Sequence, residues 1–130
     1  MNDQDRRTTI HELRQKADDF IKARNWGKHH TPKNLAVSIA IEAAELMEHY
    51  QWGEYTVTGQ EKDEKIKDEL ADVIIYCLYF ANASGIDVAD AVKNKLAHAA
   101  EKYPVETFNQ ESDDPKDYEN IKKNYRHGKA

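Results

Sequence analysis

The residues best suited to chemistry are two pairs of carboxylates. Glu42-Ala43-Ala44-Glu45 and Glu69-Leu70-Ala71-Asp72 each set two acidic side chains three positions apart. On a helix that spacing puts both on one face, roughly a turn apart, where like charges repel. A helix built for structure alone gains nothing from such a pair. Both pairs lie among apolar residues: Ile41 and Leu46 beside the first, Leu70, Val73 and Ile74 beside the second. One turn away stand Ser38, His49 and Tyr76, with Lys65 the only positive neighbour. If the two helices pack side by side, four carboxylates meet at one level, and burying them without a counter-charge is prohibitively costly. A divalent cation supplies that charge. All-oxygen donors suit Mg²⁺, which takes six oxygens from a few carboxylates, water and phosphate, with Mn²⁺ as a substitute. Such a centre serves the cutting of a phosphate chain. The metal would neutralise charge and acidify water, and a spare carboxylate, Glu45 in this reading, would take the proton.

The competing reading is a solvated helix face, which is common in a chain that is 33% charged. Against it stand the apolar setting, the missing basic partners and the repetition of the pair. Other centres lack their patterns. No Glu precedes a His by three, as di-iron carboxylate bundles require. No Cys/His motif suggests zinc, and there is no Gly-rich phosphate loop.

Aromatic residues frame the first pair. Trp26 and Trp52 flank its helix at the two ends, each next to a glycine. Such residues are either core or, with Tyr76, flat faces on which a nucleobase stacks. His29 and His30 are adjacent, so one is expected in solvent while the other could bond a ligand. Lys95 and Lys102 share one face of a later helix, where they either meet phosphates or stay solvated. A metal-carboxylate centre beside stacking faces points to a nucleoside triphosphate.

The elements that must position these residues are all helical. Thr9 and Glu12 form a capping box, and Ile10, Leu13, Ala17, Phe20 and Ile21 then make one stripe that should stop near Asn25 to Gly27. Thr31 is a good N-cap and Pro32 suits the first helical position. The helix they open should reach Gln51, with Leu35, Ile39, Ala43, Leu46, Met47 and Tyr50 as its core face. Gln51 to Gly59 reads as a loop. Thr58 with Glu61 is a second capping box for a helix from near Gln60 to Ser84, stopped by Gly85. Asp87 caps a fourth helix with Val88, Ala91, Val92, Leu96 and Ala99 on its apolar face, ended by Pro104. From Gln110 onward the chain is polar, with Pro115 and little periodicity, which suggests a tail or an arm on a partner subunit.

A chain of 130 residues suits one domain. Its charge of −5, from 19 basic and 24 acidic residues, argues against nucleic-acid polymers as partners. Cys77 sits alone in an apolar run and is expected to be a buried hydrophobe. Met1 to Arg7 is polar, without the apolar core of a signal peptide. No apolar run reaches the ~20 residues of a bilayer span. The expectation is a soluble, cytoplasmic protein with no membrane partner.

The residues also fit a known pattern. Trp26, His30-Thr31-Pro32-Lys33-Asn34-Leu35, Glu42-Ala43-Ala44-Glu45-Leu46, Gln51-Trp52, Glu69-Leu70-Ala71-Asp72-Val73-Ile74-Ile75-Tyr76 and Lys102-Tyr103-Pro104-Val105 resemble the MazG-like all-α nucleotide pyrophosphohydrolases, in particular the dCTP pyrophosphatase branch. The resemblance implies a four-helix bundle over residues 1–106, a polar tail over 107–130, and a homodimer or homotetramer. It implies Mg²⁺-dependent hydrolysis of a (d)NTP to (d)NMP and pyrophosphate, dCTP-like substrates favoured, in nucleotide-pool sanitation. Glu42, Glu45, Glu69 and Asp72 would be catalytic metal ligands. Trp26, His30, Trp52 and Tyr76 would form the nucleotide pocket, and Lys95 would contact phosphate. The chain departs from relatives at Ile41, where many have a second Glu, at Ala99, commonly Asn, and at Ala17, where some dCTP pyrophosphatase-type relatives have His. Two other functions remain open: a nucleotide-sensing module without catalysis, and the same chemistry on dUTP or a modified nucleotide.

Overall fold

The computed structural model describes residues 3–52, 60–108 and 115–126. Every regular element among the described residues is a helix, so the fold is all-α. The elements are α1 (Gln4–Arg7), α2 (Ile10–Ala23), a 3₁₀ turn (Gly27–His29), α3 (Pro32–Glu48), α4 (Gln60–Ser84), α5 (Val88–Lys102), α6 (Val105–Phe108) and α7 (Pro115–Arg126). They form two compact units, Met1–Asp87 and Val88–Ala130.

In the first unit α4 packs against both α3 and α2. The start of α2 is the predicted capping box: the Glu12 amide donates to Thr9 Oγ1 at 3.1 Å, and the Thr9 amide donates to Glu12 Oε2 at 3.0 Å. Its end is set by Asn25, whose φ of 55° is left-handed. The Asn25 amide then reaches the Lys22 carbonyl at 3.1 Å and the Trp26 amide reaches Ile21 at 3.1 Å, the paired bonds of a Schellman stop. The same stop closes α4: Gly85 has φ 66°, and the Ile86 amide bonds the Ala81 carbonyl at 3.0 Å. Arg14 ties the two helices together. Its Nε donates to Asn82 Oδ1 at 2.8 Å and its Nη1 to the Ile86 carbonyl at 2.6 Å, while Asn82 Nδ2 donates back to the Arg14 carbonyl at 3.2 Å.

The start of α3 follows its sequence signals. The Asn34 amide donates to Thr31 Oγ1 at 3.2 Å, with Pro32 in the first turn. The helix ends at Glu48, short of the expected Gln51, because residues 49–52 continue as turns. Its inward face also differs from the expected one. Leu35 is buried, and Ser38, Ile39, Glu42, Glu45, Leu46 and His49 are half-buried, whereas Ala43, Met47 and Tyr50 are exposed. Spacing decides this: positions 35, 38, 39, 42, 45, 46 and 49 step by three and four along one stripe. The carboxylates therefore share the stripe of the core residues rather than facing away from it.

The core of the first unit is small: Ala17, Ile21, Leu35, Leu78 and Ala81. Cys77, expected inside, is exposed. It continues the stripe of Leu70 and Ile74, both also exposed, so the apolar run of α4 covers more of the helix than its neighbours in this chain do. Thr58 and the 53–59 loop lie outside the described residues. No single helix among the described residues is long and apolar enough to cross a membrane.

In the second unit, the segment expected to lack periodicity contains α7. Tyr118, Ile121, Lys122 and Tyr125 recur at helical spacing. Tyr103 stacks on Tyr118 with centroids 5.2 Å apart and meets Phe108 edge-on at 5.9 Å. Lys102 Nζ sits 4.3 Å from the Tyr125 ring centroid, a cation–π contact. Two tyrosines in a charged segment, Tyr118 and Tyr125, thus give the helix something to dock with.

Candidate active site

Helix α3 carries Glu42 and Glu45 one turn apart on its inward stripe, and α4 carries Glu69 and Asp72 in the same way. The α3–α4 packing brings the two pairs to one level. One ligand oxygen from each of the four lies within 4.8 Å of all the others, and all four residues are half-buried. This is the convergence that the paired spacing anticipates.

The electrostatics of the cluster follow from that crowding. Glu42 Oε2 is out of solvent and accepts no hydrogen bond. Its carboxyl is pushed up to about 7, by burial first, then by a hydrogen bond with Glu45 and by the charges of Glu45, Asp72 and Glu69. A carboxylate oxygen buried without a donor costs free energy that a cation would recover. The donor set is all oxygen and all carboxylate, which fits a hard divalent ion such as Mg²⁺ or Mn²⁺ and not a soft one. His49, the residue after α3, places Nε2 3.5 Å from Glu69 Oε1. The sequence contains a signal for it: His49 follows Glu45 by four and so falls on the same stripe.

Beside the carboxylates, between α2 and α4, lies a cavity of about 630 Å³. Trp26, His30, Asp72 and Tyr76 all line it. Three of the four expected pocket aromatics thus share one space, and that space opens on a carboxylate of the cluster. The Schellman stop at Asn25 turns Trp26 back toward α2, where it meets Phe20 edge-on at 5.8 Å. The Arg24 guanidinium also lies over the Phe20 ring, 3.6 Å from its centroid. Burial, then the neighbouring His29, lowers the His30 pKa, so the imidazole is neutral at pH 7. Burial raises the Tyr76 pKa, followed by the charges of Glu42, Asp72 and Glu45.

Trp52 stands apart, 91% exposed beyond the end of α3 and not among the residues lining the cavity. Lys95 is an exposed residue of α5 in the second unit. The sequence reading missed Tyr79, Phe20 and Lys16, which also line the cavity. Tyr79 was legible as the continuation of Asp72 and Tyr76 along one face of α4.

Comparison with known proteins bears on this arrangement. The model of the MazG-like family matches residues 37–118, which include all four carboxylates. The chain is 30% identical over 102 residues to mouse dCTP pyrophosphatase 1, covering 75% of this chain and 60% of that protein. It is 32% identical over 101 residues to the human dCTP pyrophosphatase 1, covering 74% and 59%. The chain therefore spans about three fifths of the length of the curated relatives it matches. The crystal structure of a pyrophosphatase from Archaeoglobus fulgidus aligns with a TM-score of 0.62 at 40% sequence identity, covering 73% of this chain and 92% of that one.

Proposed function

The chain belongs to the MazG-like family, and from that footing we propose that it is a nucleotide pyrophosphohydrolase, cutting a (d)NTP to the (d)NMP and pyrophosphate. The observation that carries the proposal is the convergence of Glu42, Glu45, Glu69 and Asp72 around one point, with a buried Glu42 oxygen left without a donor. These four residues would hold Mg²⁺, or Mn²⁺ in its place. When bound, the metal supplies charge neutralisation of the phosphates and Lewis acidity toward the attacking water.

The remaining work falls to the chain's own side chains. Glu45 accepts the proton of the water that attacks the α-phosphorus. His49, with Nε2 3.5 Å from Glu69 Oε1, orients the Glu69 carboxylate. Trp26, His30 and Tyr76 take the nucleoside in the cavity that Asp72 borders. Closing the base in an apolar cavity keeps the reacting end at a fixed distance from the carboxylates. The relatives named for dCTP support a dCTP-like substrate, and the reading includes a role in nucleotide-pool sanitation.

The reading includes a homodimer or homotetramer. Val37, Ile41 and Met47 are exposed apolar residues on α3, off the stripe that packs on α4. A second copy of the chain would cover them.

The test is a screen of the common NTPs and dNTPs with Mg²⁺ and with Mn²⁺, with products separated. Monophosphate plus pyrophosphate is the expected pair. Diphosphate plus phosphate, or no product from any nucleotide, would remove the proposal.

A further inference from the structure

Tyr79 has no task in the chemistry above, yet it lines the cavity and makes two ring contacts there. It stands seven positions past Asp72 on α4, two turns or ~10.5 Å along the axis, with Tyr76 between them on the same face. Two rings hold it. Tyr76 meets it edge-on with centroids 5.4 Å apart at 87°, and His30 leans on it at 5.0 Å and 54°. The cavity lining is largely apolar, with Leu13, Phe20, Ile21 and Leu78 among it, and Tyr79 also borders a neighbouring cavity that Asp18 and Asn82 line. Burial, more than any neighbouring charge, raises the Tyr79 pKa above its ordinary 10, so it presents a neutral O–H at physiological pH. A phenol in an apolar space needs a hydrogen-bond partner, and its absence is costly.

We infer that Tyr79 is a specificity-determining residue: its hydroxyl hydrogen-bonds the edge of the nucleobase that enters the cavity. This rests on the proposed function for one point only, that the phosphates lie at the carboxylates. The nucleoside then runs along α4, past Tyr76, and its base ends at Tyr79. Stacking on Trp26 or Phe20 accepts any base, since every base has a π-face. Lys16, at an exposed position of α2, ends in a mobile charge that adapts to many acceptors. Tyr79 cannot adapt, because its ring is fixed from two sides. A base offering the wrong group leaves the phenol unpaired, and that is how a site rejects a near-isostere.

Tyr79→Phe tests the inference, because it keeps the ring and both ring contacts and removes only the oxygen. The full chain and the variant are titrated calorimetrically with the four deoxynucleoside monophosphates in Mg²⁺, and kcat/KM is measured on the four triphosphates. The preferred nucleotide should lose about tenfold in affinity and in kcat/KM, the other three less than twofold, with Tm and the Mg²⁺ titration unchanged. An equal change for all four, or no change, overturns the role of Tyr79 and leaves the hydrolase standing. A wild-type protein that ranks the monophosphates but releases no pyrophosphate removes the hydrolase, and the change in ranking still decides Tyr79. A wild-type protein that binds all four alike, or none, overturns the inference.

Discussion

His49 Nε2 lies 3.5 Å from Glu69 Oε1, joining the C-terminal end of α3 to the middle of α4 at the carboxylate cluster. Partners of this kind fix the orientation of a metal-binding carboxylate, and losing one typically costs 10–100-fold in metal affinity or activity. His49→Ala should therefore raise the Mg²⁺ concentration needed for half-maximal turnover by roughly tenfold or more. The residue is half-buried at a helix end, so the far-UV circular dichroism should not change. An unaltered Mg²⁺ dependence would show that His49 does not orient Glu69.

Removing charge from the cluster should abolish chemistry without unfolding the chain. Glu45→Gln and Asp72→Asn each replace a carboxylate by an isosteric amide, and each relieves repulsion among four acidic groups held within 4.8 Å of one another. The expected outcome is loss of nearly all pyrophosphate release, with a metal-free Tm equal to or above that of the wild type. Wild-type turnover in either variant at saturating Mg²⁺ would exclude these residues from the reaction.

The raised pKa of Glu42 carries a sign that can be measured. Between its ordinary 4.5 and about 7, the native state holds a proton that the unfolded chain has released. By linkage, the contribution of Glu42 to stability is fully present at low pH and is lost as pH rises through 7. The metal-free protein should show this as a Tm that falls from about pH 4.5 to about 7 and levels off above it, and Glu42→Gln should flatten the slope. Metal binding must displace the proton, so the Tm gain on adding Mg²⁺ should grow over the same range. A Mg²⁺ effect independent of pH would contradict the protonated state of Glu42.

Asn25 sets the direction of Trp26 through its left-handed backbone, φ 55°. Asn25→Gly keeps that conformation available and should leave stability nearly unchanged. Asn25→Val cannot adopt it without strain and should cost about 1–2 kcal/mol. Because the strained stop also displaces Trp26 from the cavity, the valine variant should lose nucleotide affinity out of proportion to its loss of Tm. Equal nucleotide affinity in both variants would show that Trp26 does not depend on this turn.

Much of this site was legible before any coordinates. Thr9 with Glu12, Thr31 with Pro32, and Gly85 mark helix boundaries through contacts between residues at most a few positions apart, so near-neighbour chemistry suffices to find them. The acidic pairs were legible for the same reason. The apolar residues of α3 were harder. Ala, Val, Ile, Leu and Met occupy most of its circumference, so no single stripe stands out, and Met47 and Cys77 were assigned to the inside wrongly. A helix that is apolar on two faces leaves the choice of inner face to whatever packs against it. The helix α7 escapes sequence reading because only two tyrosines and one isoleucine mark its face among charged neighbours.

The sequence by itself determined the four main helices, most of their ends and the two like-charged pairs, since each depends on spacing along one chain segment. Tertiary structure alone decided that the pairs meet. Whether Glu42 and Glu45 face Glu69 and Asp72 depends on the rotation and register of α3 against α4, which the packing of both surfaces sets together. The same packing brought His49 to Glu69, Tyr79 to His30, and Trp26 to the cavity beside Asp72, none of which any one helix encodes.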